Sequence, residues 1–183
     1  MFDFFTSDTH FGHRAIIDMC HRPFNDTDEM TEGLIDNFNS VVGANDRVLW
    51  VGDVSFVNKT KTKAVFDRLR GKHWLVRGNH DSKAPWFMDV GFELVTSRMT
   101  FSMENFVFLV SHYPYKRNTN LRDVTERPHL LDRFPNKGGE DFLLHGHTHS
   151  LCKTDGRMIH VGVDAWDMFP ASREQILELA RKI

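Results

Sequence analysis

Five short polar motifs, each placed where an apolar run stops, constrain this chain more than any other feature. They are Asp8-Thr9-His10, Gly52-Asp53, Gly78-Asn79-His80-Asp81, Ser111-His112 and Gly146-His147-Thr148-His149. The runs before them, such as Arg47 to Val51 and Phe106 to Val110, have the length and the apolar and aromatic content of buried strands. In open α/β sheets the groups that do chemistry gather beyond the carboxyl ends of the strands. Five strands that end this way can deliver these side chains to one crevice. Residues two apart in an extended segment point the same way, so Asp8 and His10 can reach one ion, as can His147 and His149. Glycine before Asp53, Asn79 and His147 lets the backbone turn sharply and come close.

The rest of the chain fits that frame. Phe2 to Thr6 reads as a short buried strand, followed by a helix from Arg14 to about Cys20. Asp28 is placed to cap a second helix running through Asn39, with Met30, Leu34, Ile35 and Phe38 at helical spacing. Lys61 to Arg70 is a third helix, ended by Gly71, and His73 to Val76 a further strand. This alternation predicts a largely parallel sheet with crossover helices. The second half is richer in strands: Phe92 to Val95, Met99 to Met103 and Phe106 to Val110, with Glu104-Asn105 as a hairpin turn, then Phe142 to Leu144 and Met158 to Val161. Ser172 with Gln175 three residues later forms a capping box for a final helix. The reading is one domain over residues 1–183, broken at 113–140 by a polar insertion with three prolines and Gly138-Gly139. Long irregular loops of this kind often serve as lids over substrate.

The residue types in the motifs point to metal chemistry. Eleven histidines are present, and several stand beside Asp, Asn or Gly rather than inside apolar runs. Histidine is the commonest metal ligand. Carboxylate, imidazole and amide oxygen without thiolate suit Mn²⁺, Fe or Zn²⁺. Seven such groups exceed what one tetrahedral ion needs and suit two ions sharing a carboxylate. Taken singly each motif is commonplace, because Gly-Asp is often only a turn and Asp-x-His occurs by chance. The ordered set of five is specific.

That set resembles the signature of the calcineurin-like metallophosphoesterase superfamily, in order, from Asp8 to His149. The opening Asp8-Thr9-His10-Phe11-Gly12-His13, the Arg22-Pro23-Phe24 segment and the close Val161-Gly162-Val163-Asp164-Ala165-Trp166 are similar to small stand-alone phosphoesterases of bacteria and phages. The resemblance implies an α/β fold, a four-layer α/β/β/α sandwich of two mixed sheets flanked by helices. It implies one metal held by Asp8, His10, Asp53 and His149, and another by Asp53, Asn79, His112 and His147, with Asp53 shared. The cofactors would be two divalent metal ions, manganese first, with iron, zinc or nickel as alternatives. Hydrolysis would use a hydroxide bridging the two. His80 would face the leaving group rather than bind metal.

Outside that set the readings are looser. Asp81 either orients the His80 ring or forms the turn itself. His13 either approaches phosphate from the first helical turn or caps the helix. Asp164 either supports the site indirectly or has no part in it, and in neither case is it a ligand. Arg117 and Arg122, in the insertion, are candidates to grip a phosphate or nucleotide. The favoured substrates are small phosphodiesters, including 2′,3′- or 3′,5′-cyclic nucleotides. A broad phosphomonoesterase is the alternative, and a partner-binding scaffold with a vestigial metal site is the reading from another class. A vestigial site would lack one or more of Asp53, Asn79, His80 or His112, and all four are present. The formal charge of −2 and the absence of a basic tract argue against extended nucleic-acid binding. No run of about 18 apolar residues predicts a membrane span. The opening Met1 to Phe5 is too short and acidic for a signal peptide. Cys20 and Cys152 are expected as free thiols in the cytoplasm.

Overall fold

Runs of two to five residues, most of them rich in apolar side chains and all too short for helices, pair into two five-stranded sheets. The computed structural model describes residues 1–116 and 132–183. In the first sheet, β1 (Phe4–Thr6), β2 (Arg47–Trp50), β3 (Lys72–Val76) and β4 (Leu94–Thr96) run parallel. The second sheet is built from β5 (Met99–Met103), β6 (Phe106–Val110), β7 (Phe142–His145), β8 (Thr154–Asp155) and β9 (Met158–His160), in the order β5-β6-β7-β9-β8. Here β6, β7 and β9 run parallel, with antiparallel β5 and β8 at the edges. A last strand, β10 (Ala171–Ser172), joins the first sheet antiparallel to β1. Both sheets are therefore mixed.

Among the described residues, helices α1 (Arg14–Met19), α2 (Thr27–Val41), α3 (Lys59–Phe66) and α4 (Ala84–Val90) pack their buried residues onto Val48, Trp50 and Leu75 of the first sheet. In α2 the stripe Met30, Leu34, Ile35 and Phe38 is buried as its spacing predicts, each such side chain contributing about 1.5–3 kcal/mol. The opposite face of the sheet, with Phe5, Leu49, Val51 and Val76, meets Phe108, Val110, Phe142, Leu144 and Ile159 of the second sheet. Ile176, Leu177 and Ala180 of α5 (Arg173–Lys182) join this inter-sheet core. This is the expected α/β architecture of two mixed sheets flanked by helices.

Several boundaries differ from expectation. The cap of α2 is Asp26, whose carboxylate accepts from Asp28 and Glu29 N–H, so Asp28 lies inside the first turn. Asn58 caps α3, which starts earlier and ends earlier than its apolar spacing suggested. Helix α4 and strands β8 and β10 were not expected. Helix α4 has seven residues with Pro85 in its first turn, too short to show a period, and the two strands have two residues each. The Met99–Met103 and Phe106–Val110 hairpin and the Ser172–Gln175 capping box agree with the sequence.

Candidate metal centre

All five motifs occupy the carboxyl ends of parallel strands, three from the first sheet and two from the second. Asp8 and His10 follow β1, Asp53 follows β2, and Asn79 to Asp81 follow β3. His112 follows β6, and His147 and His149 follow β7. The loops are sewn together by backbone hydrogen bonds from Asp8 N to Gly52 O (3.0 Å), His10 N to Asp53 O (3.1 Å) and Gly146 N to His112 O (3.1 Å). Ser7 Oγ donates toward Asp8 Oδ2 (2.7 Å) and the Val51 carbonyl (2.8 Å).

The backbone at these residues departs from the extended form assumed for Asp8 and His10 and for His147 and His149. Asp8, His10, Asp53, His147 and His149 have φ values of 57°, 50°, 52°, 69° and 50°. They reach the crevice through left-handed bends, not through strand alternation. Such φ values are uncommon outside glycine and cost energy that tertiary contacts must offset. Close approach needs glycine, as Gly146 and Gly78 show. A Cβ on Gly146 would lie 2.0 Å from Ser7 Oγ and 2.4 Å from Asp8 Oδ2, and one on Gly78 would lie 2.1 Å from Asp53 Oδ1.

Ligand-capable atoms of Asp8, His10 and His149 lie within 4.8 Å of one another, as do those of Asp8, Asp53 and His112. Asn79 Oδ1 is 3.0 Å from His112 Nε2 and 3.0 Å from His147 Nδ1. The seven residues named from sequence are thus brought into one cluster. His80 stands at its edge, exposed, with its ring centroid 5.9 Å from that of His10.

The chemistry of this donor set fits cations. His112 Nδ1 donates to the Val51 carbonyl at 2.8 Å, so in the neutral ring Nε2 carries the lone pair. That nitrogen faces Asp53 Oδ2 at 3.4 Å as well as Asn79 Oδ1. His149 repeats the pattern: Nδ1 donates to Asp164 Oδ2 at 2.8 Å, and Nε2 points toward Asp8 Oδ1 at 4.0 Å. Both ring nitrogens of buried His10 lack a hydrogen-bond partner among the described residues, while Nε2 lies 3.7 Å from Asp53 Oδ2 and 3.9 Å from Asp8 Oδ1. With these rings neutral, acceptors stand against acceptors in a dry site, an arrangement that a positive charge between them, proton or metal ion, relieves.

Titration behaviour in the metal-free chain reports the same tension. Burial brings His10 down to about 2 and His147 down to about 3, which leaves both neutral, the form that binds metal. Burial also opposes charge on His112, but Asp53 beside it outweighs that and pushes the imidazole up. Burial raises Asp8. It acts the same way on Asp53, where the His112 charge prevails and holds the carboxyl well below the usual range.

Beneath the cluster lies a brace that sequence reading named only in fragments. Arg22 is 4% exposed. It donates from Nε and Nη2 to Asp164 at 2.8 and 2.9 Å, and from Nη2 and Nη1 to the carbonyls of Asp8 (2.7 Å) and Thr9 (3.0 Å). One guanidinium therefore fixes the loop carrying Asp8 and His10 and, through Asp164, the ring of His149. Asp164 is held down to about 2; burial alone would raise it, but the bonds from His149 and Arg22 outweigh burial.

Of the two roles expected for Asp81, the structure agrees with the turn. Its oxygens accept from Asp53 N (2.9 Å), Val54 N (2.9 Å) and Gly78 N (2.7 Å), so it ties two ligand loops together rather than orienting the His80 ring. Partly buried as an acid beside Asp53, it is raised to about 6, with burial the larger cause. His13 precedes α1 without a side-chain capping bond and stacks on Phe56, centroids 4.0 Å apart. Phe56 also touches the rings of His10 and His80, a contact no motif announced. Arg117 and Arg122, with most of the 113–140 insertion, lie outside the described residues.

Comparison with known proteins gives the chain's family. The chain is 32% identical over 204 residues to the gene 66 protein of Mycobacterium phage L5, covering 98% of this chain and 94% of that protein. It is 28% identical over 186 residues to an uncharacterized protein of Methanocaldococcus jannaschii, covering 96% and 89%. A crystal structure of a protein of unknown function from Aquifex aeolicus superposes with a TM-score of 0.74 at 26% identity, over 96% of this chain and 97% of that one. The calcineurin-like phosphoesterase superfamily domain matches residues 1–163, and the chain belongs to that superfamily.

Proposed function

We propose that this chain, acting as a single domain, hydrolyses small phosphodiesters, cyclic nucleotides among them, with two divalent ions held by Asp8, His10, Asp53, Asn79, His112, His147 and His149. The observation that carries the reading is the buried meeting of the Asp8 and Asp53 carboxylates with lone-pair nitrogens of His10, His112 and His149. Asp53 is the shared ligand in this reading, and manganese the favoured metal. Divalent ions in such a site lower the pKa of the attacking water and neutralise charge on the phosphoryl oxygens.

The chain's own residues supply the rest. Neutral His10 and His147 offer lone pairs without having to lose a proton first. Arg22 and Asp164 hold the Asp8 loop and His149 in place. Asp81 locks the Asp53 and Asn79 loops against each other. His80, exposed beside the cluster, gives its ring proton to the ester oxygen that leaves. A cleft of about 540 Å³ lined by Asn79 and Tyr113 gives room for the second substituent of a diester, which a monoester lacks.

The direct test is purified protein with Mn²⁺ and bis-p-nitrophenyl phosphate, with and without chelator, then a panel of cyclic nucleotides and monoesters. Chelator-sensitive turnover that favours diesters is expected; preference for monoesters would replace the substrate assignment. His80→Ala should keep both metals and lose about 10²–10⁴-fold on poor leaving groups. Loss of metal in that variant would make His80 a ligand instead.

A further inference from the structure

The cleft beside Asn79 carries an unassigned concentration of positive charge. Its walls include Arg77 at the end of β3, Arg98 just before β5, and Arg133. Among the described residues no carboxylate pairs with any of the three. Among those residues the Arg77 side chain donates to the Ser82 carbonyl (3.4 Å), that of Arg98 to the Arg133 carbonyl (3.3 Å) and that of Arg133 to the Tyr113 hydroxyl (3.2 Å). The Nε of Arg77 is buried with no partner among the described residues. Two carboxylates also line the cleft, Asp81 and Asp132. Asp81 directs its oxygens at three backbone N–H groups, so among the described lining residues three guanidiniums face two carboxylates, neither of them ion-paired to an arginine.

The cleft is continuous with the metal centre. Gly78 and Asn79 belong to both, and the Tyr113 ring contacts those of His112 and His147. A phosphoester placed at the metals would extend its organic part toward these arginines. Guanidinium groups present forked donors that match phosphate oxygens. We infer that the cleft binds a second phosphate on the substrate, so that the preferred substrate is a small phosphoester bearing a separate terminal phosphate. This rests on the proposed phosphoesterase reading and sharpens it. A nucleic-acid strand is the less suitable ligand, because the cations form one confined cluster rather than a track along a backbone.

The test compares thymidine 5′-(p-nitrophenyl phosphate) with the same ester carrying a 3′-phosphate, using the full chain with Mn²⁺. The 3′-phosphate should lower KM by about tenfold or more, since a charge-assisted hydrogen bond contributes about 1.5–3 kcal/mol. In R98Q/R133Q, two exposed positions, the ratio between the substrates should fall to near unity. Equal KM values in the original chain, or a ratio that survives in the variant, would overturn the inference. A 3′-(methyl phosphate) ester should recover only part of the gain; a full or larger gain would assign the cleft to an internal nucleic-acid linkage and overturn the terminal-phosphate claim. Calorimetric binding of thymidine 3′,5′-bisphosphate to metal-free protein separates this inference from the reading on which it rests. Binding weakened about tenfold or more in R98Q/R133Q supports the cleft even if neither ester is hydrolysed, and equal binding by both proteins counts against it.

Discussion

His73 and His10 are both buried imidazoles that burial keeps neutral, yet their surroundings differ in kind. His73 sits in the helix-side core among Phe38, Trp50, Phe66 and Phe92, and its Nδ1 accepts the Trp50 indole N–H at 3.1 Å. His10 has two nitrogens without a hydrogen bond and two carboxylates under 4 Å away. His73 completes a packed core, whereas His10 leaves a local arrangement incomplete. His160 sharpens the contrast. It too is buried with both nitrogens unbonded, but its ring neighbour is His145, and it forms no ion pair with a carboxylate among the described residues. An orphaned nitrogen marks a ligand only where anionic oxygens converge on it.

The strongest way to break this comparison is Asp8→Asn. It should lower turnover on the order of 10³-fold while raising the thermal midpoint of the metal-free protein. Burial raises the Asp8 pKa, so its ionised form destabilises the fold near neutral pH, and removing the charge relieves that. Metal analysis together with calorimetry checks both halves; full turnover with normal metal content would remove Asp8 from the centre. Next comes Arg22→Met, which strands Asp164 as a buried charge and should cost about 3–5 kcal/mol in denaturant unfolding. Asp164→Asn should weaken Mn²⁺ binding by about 10–100-fold in a calorimetric titration. Unchanged affinity there would reduce the brace to a folding element.

The other side of the comparison is tested at His73. Its pKa falls from 6.5 to about 4 through burial, so between those values the unfolded chain binds the extra proton. Stability is therefore unaffected by this group above pH 6.5 and declines as pH drops toward 4, by up to about 3 kcal/mol. His73→Gln should flatten the pH dependence of unfolding in that window by close to one proton. An unaltered slope would show that the ring is charged in the folded state.

Much of this was legible because strand ends and metal donors are local signals. Each ligand motif adjoins its own apolar run, and the β5–β6 hairpin and the capping box are spelled out over a few residues. What escaped is non-local or too short. Arg22 and Asp164 stand 142 positions apart, and neither shows in its own neighbourhood that it is buried. Asp81 is next to His80 in sequence, but its bonds run to backbone that only folding brings near. Asp26 and Asp28 are equally plausible caps by residue type, and the extended backbone at Asp26 (φ −150°) decides between them. The strands β8 and β10 exist only because a partner strand lies alongside.

The left-handed bends at Asp8, His10, Asp53, His147 and His149 limit how such a centre can vary. Apart from glycine, the residues that tolerate this conformation best are Asn, Asp and His, which are also the types that donate to hard and borderline cations. Mutational drift at these five positions is thereby confined to a small alphabet, and most letters in it can still coordinate. Replacement by Glu or Cys would offer a donor that the backbone resists, so the bends themselves filter which metal preferences the centre can acquire.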